Sequence, residues 1–86
     1  MPTISRFYGV IIRMFWREHG PPHFHAQYGR HAAIIDIRTL ETVRGTLPSR
    51  ARVLILEWAL AHRTELLENW ELCAAKQPPK PIEPLP

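Results

Sequence analysis

Two consecutive prolines constrain this chain more than any other feature. Gly20-Pro21-Pro22 interrupts a region from Ser5 to Thr39 in which apolar residues largely alternate with polar ones. Neither proline has an amide hydrogen to donate, and each fixes φ near −65°. A continuous β-ladder cannot pass through them, so strand-like sequence on either side is joined by a loop. Before the break, Tyr8, Val10, Ile12, Met14 and Trp16 occupy every second position, which predicts one strand over Ser5 to Arg17. Its other face carries Phe7, Gly9, Ile11, Arg13, Phe15 and Arg17 and is half apolar, with Gly9 marking a bulge or a close backbone approach.

After the break, His23 to Tyr28 places Phe24, Ala26 and Tyr28 on one face and His23, His25 and Gln27 on the other. Gly29-Arg30 supplies a hairpin turn, since Gly tolerates the positive φ that such turns require. His31 to Thr39 is the third strand, and Leu40 to Gly45 a short fourth. A two-residue turn sets Ala26 opposite Ala33, Phe24 opposite Ile35, His25 opposite Ile34 and His23 opposite Asp36. Opposed residues share a face, so Phe24, Ala26, Tyr28, Ala33, Ile35 and Ile37 form the core side. His23, His25, Ile34 and Asp36 share the other. A loop over Glu18 to Pro22 then sets Trp16 opposite Phe24 and Phe15 opposite His25.

Pro48 and Ser49 open a helix, with Ser49 as its natural cap, and no Gly or Pro follows until after Ala75. At 100° per residue Leu56, Ala59, Leu60, Leu66, Leu67, Trp70 and Cys73 fall on one broad side. This predicts one amphipathic helix about 40 Å long. Leu54 and Trp58 form a second patch off that stripe, and Trp58 and Trp70 read as core anchors. Gln77 to Pro86 contains five prolines and cannot extend the helix; it is an extended tail with Ile82 and Leu85 as anchors. The expectation is an α+β fold: a three- to four-stranded antiparallel sheet packed on one long amphipathic C-terminal helix, with residues 1–76 as a single domain and residues 77–86 as a Pro-rich tail.

Eighty-six residues support one core that buries roughly 60–65% of the unfolded surface. No apolar run approaches the roughly 18 residues of a membrane span, no basic start leads into a signal-type apolar segment, and the lone Cys73 has no intrachain partner. Together these lead to a cytoplasmic expectation with no membrane partner. The net charge of +3 is uneven. Residues 1–52 carry eight Arg against Glu18, Asp36 and Glu41, while residues 53–86 carry Arg63, Lys76 and Lys80 against five Glu. A basic first half suits an acidic protein partner, a nucleic acid, or the acidic second half of the same chain.

The concentrated chemistry is Glu18-His19-Gly20-Pro21-Pro22-His23-Phe24-His25. His23 and His25 project from one face of a strand, with Asp36 opposite His23. With His19 from the loop, the candidate metal ligands are His19, His23, His25 and Asp36, a donor set that suits Zn²⁺, Fe²⁺ or Mn²⁺. The same groups serve acid/base chemistry, for which His23, His25 and Asp36 are the candidate catalytic residues, with Arg13 and Arg17 nearby for a phosphodiester. Against both stands an ordinary cross-strand His23–Asp36 pair. His31 and His62 read as surface or cap residues.

One helix covers one face of a sheet. The other face, with Phe7, Ile11, Arg13, Phe15, Arg17 and Ile34 beside the histidines, has the aromatic and Arg composition of an interface core. It suits a second copy, the tail, a protein partner, or RNA stacked on Phe7 and Phe15.

Pro2-Thr3-Ile4, Gly9-x-x-Ile12-x-Met14, His19-x-Pro21-Pro22-His23-x-His25, Gly45-x-Leu47-Pro48, Glu57-Trp58, His62, Leu66, Asn69-Trp70 and Ile82-x-Pro84-Leu85 together resemble the small prokaryotic family called domain of unknown function 4160, over almost the whole chain. The resemblance implies a family with no assigned activity or catalytic residues, whose genes often lie beside another small protein in toxin–antitoxin-like pairs. The expectation is therefore a small interaction or regulatory module with a His-rich partner face. The alternative is a small ribonuclease-like hydrolase using the His/His/Asp cluster, with or without a divalent metal.

Overall fold

The computed structural model describes residues 2–86. Five strands, β1 Thr3–Phe7, β2 Val10–Arg13, β3 His23–Tyr28, β4 His31–Asp36 and β5 Thr42–Gly45, precede two helices, α1 Ser49–Ala61 and α2 Arg63–Ala74. The strands form one antiparallel meander in the order β1-β2-β3-β4-β5. The α+β class holds, but there are five strands rather than three or four.

The extra strand arises where one strand was expected over Ser5 to Arg17. Tyr8 (φ 47°) and Gly9 (φ 84°) both take positive φ, the pattern of a two-residue type I′ hairpin turn, whose twist matches the flanking strands. This turn sets Phe7 opposite Val10 and moves Phe7 to the core side. Strict alternation through the turn had placed it on the other. Phe7 is 6% exposed, and its ring centroid lies 5.3 Å from that of Trp58. Trp58 also meets Phe24 edge-on at 6.0 Å; such aromatic pairs contribute about 0.5–1.5 kcal/mol each beyond burial.

The Gly29-Arg30 turn and the β3–β4 register match expectation, with His23 opposite Asp36, His25 opposite Ile34 and Phe24 opposite Ile35. The β2–β3 register lies two residues away from the expected one. Arg13, not Phe15, is opposite His25, because β2 ends at Arg13. A shift of two preserves faces, so Ile11, Arg13 and His25 still share a side. Met14 remains fully buried, whereas Trp16, expected on the core side, is 45% exposed in the loop.

The expected single long helix is broken at His62 (φ −124°, ψ 24°), the shared end of α1 and α2. The N-cap of α1 is Pro48, with Ser49 the first helical residue and no side-chain cap. Its buried residues are Ala51, Ile55, Trp58 and Ala59; those of α2 are Leu66, Asn69, Trp70 and Cys73. On α2 the expected Leu66, Trp70 and Cys73 are buried and Asn69 joins them; on α1 the stripe is rotated, because the break at His62 resets its phase, so that Ile55 and Trp58 lie in the core and Leu60 is exposed.

Asn69, a polar residue in the α2 stripe, is tolerated there because both ends of its amide are hydrogen-bonded. Its Nδ2–H donates to the Lys80 carbonyl and its Oδ1 accepts from the Lys80 N–H, both at 2.8 Å. The Pro-rich tail is thereby strapped across the helices. Trp58 Nε1–H donates to the Glu83 carbonyl at 2.8 Å, Ile82 N–H donates to the Ile4 carbonyl of edge strand β1 at 2.8 Å, and Ile82 joins the core. Helices and tail thus cover one sheet face. The face bearing Ile11, Arg13, His25 and Ile34 is left without a covering element among the described residues.

Candidate functional site

His23 and His25 stand two apart on β3, so both rings leave the same face. They are joined by a side chain from the loop before the proline break. The Glu18 Oε1 atom lies 2.7 Å from His25 Nε2 and 3.1 Å from His23 Nε2. The three side chains are half-buried, at 29% (Glu18), 14% (His23) and 26% (His25) exposure. Ligand-capable atoms from all three lie within 4.8 Å of one another.

Both rings are held from outside the strand. Phe15 meets His25 edge-on at 4.5 Å, and Trp70 of α2 lies 4.9 Å from the His23 ring. His23 Nδ1 lies 3.0 Å from the Pro21 carbonyl oxygen, which can only accept, so Nδ1 carries the proton of that hydrogen bond. The Gly20–Pro21 bond is cis. The loop that breaks the ladder thus supplies both the carboxylate and the carbonyl that orients one imidazole.

The structure sorts the residues expected to form this site. Asp36 is opposite His23 in register, but its carboxylate is directed elsewhere: Oδ1 accepts from the Arg38 N–H at 2.7 Å and the Thr39 N–H at 3.1 Å, closing the turn after β4. His19 is exposed and is outside the converging set. Glu18 takes the carboxylate position that Asp36 was expected to fill. One signal in the sequence pointed away from Asp36: Asp36-Ile37-Arg38-Thr39 has the form of an Asx turn, in which an Asp side chain accepts amides two and three residues on.

Cys73 of α2 senses the same carboxylate. Burial pushes its thiol above the ordinary value of 9.0, and the negative charge of Glu18 adds to the shift. The site therefore offers imidazole and carboxylate, with a neighbouring thiol that is kept protonated.

Beside His25, the uncovered sheet face sinks into a hollow of about 290 Å³ whose walls include Ile11, Phe15 and Ile34, with Arg13 and Arg44 also lining it. Arg13 donates to Gln27 Oε1 at 2.6 Å, which fixes its guanidinium over the face. Of the residues expected on this face, Ile11, Arg13, Phe15 and Ile34 line the hollow. Phe7 does not, being packed in the core, and Arg17 is exposed in the loop with φ 64°.

No helix among the described residues is long and apolar enough to cross a membrane. Comparison with curated proteins gives no match, and comparison with solved structures gives none. The family model described as Domain of unknown function (DUF4160) matches residues 9–71, a span that holds the whole Glu18–His23–His25 constellation and both helices up to Glu71. By that match over most of its length, the chain belongs to the DUF4160 family.

Proposed function

We propose that this protein is a small interaction module, the regulatory member of a pair of adjacent genes of the toxin–antitoxin type, and that its uncovered sheet face takes a protein partner. The observation that carries this reading is the hollow beside His25: an apolar floor and wall with the guanidinium groups of Arg13 and Arg44 beside it. Apolar surface supplies the favourable free energy of association, and Arg is the residue best suited to pair with a carboxylate at a partly desolvated interface. The complementary partner segment presents one or two apolar side chains flanked by Asp or Glu. The surplus of Arg in the sheet half of the chain favours encounter with such a segment.

The test is co-expression of the untagged chain with the product of the gene beside it. A stable complex is expected, lost on Phe15→Asp or Ile34→Asp and retained on Leu60→Asp, which alters an apolar side chain 62% exposed on α1. Free monomer from every co-expression, or a complex indifferent to Phe15→Asp and Ile34→Asp, refutes the reading.

A second reading, a ribonuclease-like hydrolase, is favoured by one observation of its own: two imidazoles and a carboxylate converge on the face that also carries Arg13. One imidazole as base and one as acid, with a guanidinium on the phosphate, is sufficient apparatus for phosphodiester cleavage. Structured RNA incubated with the protein would then be cut, and His23→Ala with His25→Ala would abolish cutting. Cleavage that survives both substitutions refutes it.

A further inference from the structure

We infer that Glu18, His23 and His25 form a binding site for one divalent first-row transition-metal ion of the zinc class, with an open position for an exchangeable ligand. The inference is independent of the partner-binding reading. It follows from the spacing of the donor atoms and from a count of protons.

The spacing comes first. A tetrahedral ion with ligand bonds near 2.0–2.1 Å separates its ligand atoms by about 3.3 Å. His23 Nε2 and Glu18 Oε1 are 3.1 Å apart, His25 Nε2 and Glu18 Oε1 are 2.7 Å apart, and all three donors lie within 4.8 Å of one another. Both distances to Glu18 Oε1 are within a few tenths of an ångström of that separation. The rings already stand on one strand face, and Phe15 and Trp70 limit their other rotamers.

The proton count is the stronger argument. His23 Nδ1–H is committed to the Pro21 carbonyl. A neutral imidazole carries one N–H, so neutral His23 points the bare Nε2 lone pair at a carboxylate oxygen. Two acceptors facing each other at 3.1 Å need a positive centre between or beside them. A proton satisfies that need by making His23 an imidazolium; a metal ion satisfies it while also engaging His25, whose Nε2 faces the same oxygen. An Nδ1–H held by a backbone carbonyl, leaving Nε2 free, is the usual outer support of a histidine metal ligand.

The donor set defines the class of ion. Two imidazoles and one carboxylate suit Zn²⁺, Fe²⁺ and their neighbours rather than Ca²⁺ or Mg²⁺, which take mainly oxygen. The buried Cys73 thiol is not among the converging donors, which argues against a soft thiolate site. Three protein ligands leave at least one position for water or an incoming group, as in open rather than closed zinc sites.

The full chain, made without a histidine tag and stripped with EDTA, is titrated with Zn²⁺, Co²⁺ and Mg²⁺ separately. Calorimetry should give one Zn²⁺ per chain, Co²⁺ should develop the visible absorption of a four- or five-coordinate ion, and Mg²⁺ should not compete. Glu18→Gln, His23→Gln and His25→Gln, which keep side-chain size, should each weaken Zn²⁺ binding at least tenfold. His19→Ala and His31→Ala should leave it unchanged. Circular dichroism of each variant verifies the fold. Absence of stoichiometric Zn²⁺ and Co²⁺ binding by folded wild-type protein overturns the inference and leaves a hydrogen-bonded Glu18–His23–His25 cluster. Binding that persists unchanged in the three Gln variants overturns it equally, as an adventitious ion only.

Discussion

Replacing Asn69 with Ala should loosen the Pro-rich tail, by an amount that can be worked from the structure. The Asn69 amide makes two hydrogen bonds of 2.8 Å to the backbone of Lys80, each with a net worth of about 0.5–1.5 kcal/mol. Alanine removes both and recovers about half a kcal/mol of helix propensity. Lys80 is exposed, so its freed amide and carbonyl regain water once the tail lifts. Lifting, however, also draws on the burial of Ile82 and on the Trp58–Glu83 bond. The expected loss is about 2 kcal/mol, or on the order of 10 °C in Tm for a domain of this size. Urea and thermal denaturation measure that loss, and trypsin reports on the tail, because cleavage after Lys76 should accelerate while Lys80 is guarded by Pro81. In a chain ending at Gln77, Asn69→Ala should cost less than half as much, since its partner is gone. A loss below about 0.5 kcal/mol in the full chain, with trypsin cleavage unchanged, would refute the strap.

Other expectations follow from single contacts. A Cβ at Gly45, where φ is +82°, would overlap the Ala32 carbonyl oxygen, so Gly45→Ala should detach β5 and destabilise the fold by about 1–3 kcal/mol, seen as faster amide exchange at Ile34 and Asp36, whose N–H groups face β5. The Ser5 hydroxyl is buried without a hydrogen-bond partner among the described residues; Ser5→Ala should be neutral or stabilising by up to about 1 kcal/mol, as read from the urea midpoint. The Cys73 thiol in the folded chain ionises above 9.0, so the folded state holds its proton where the unfolded state has lost it. Its contribution is fully present below that pH and declines as pH rises. The stability of wild type relative to Cys73→Ala should therefore fall as pH rises through and above 9.0.

The parts of this fold that were legible in the sequence share a cause, namely local rules that act within one hairpin. Gly29-Arg30 and the alternation around it gave the β3–β4 register, because a two-residue turn leaves one pairing. Tyr8-Gly9 was missed as a turn because Tyr at positive φ carries no propensity signal, and the error moved Phe7 across the sheet. The α2 stripe was legible, with Leu66, Trp70 and Cys73 buried as expected and Asn69 added to it, whereas on α1 Leu60 reads as core but is exposed. Only the distant tail makes Asn69 a core residue, and that contact joins residues eleven apart through a turn the pattern does not encode. At the site, the His23–His25 pair followed from strand geometry. Glu18 was hidden because it lies in a loop, where side-chain direction is set by Arg17 at φ 64° and the proline break rather than by any period.

The proposal that the uncovered sheet face takes a protein partner is tested by isoleucine methyl NMR. Ile11 and Ile34 lie on the uncovered face, whereas Ile12, Ile35, Ile37 and Ile55 are fully buried in the core. On titration with the product of the adjacent gene, the Ile11 and Ile34 methyl resonances should shift or broaden before any of the buried ones, and Ile34→Asp should eliminate the response at Ile11. If a complex forms while Ile11 and Ile34 keep their free positions, or if no resonance moves at any partner concentration, the uncovered sheet face is not a partner surface.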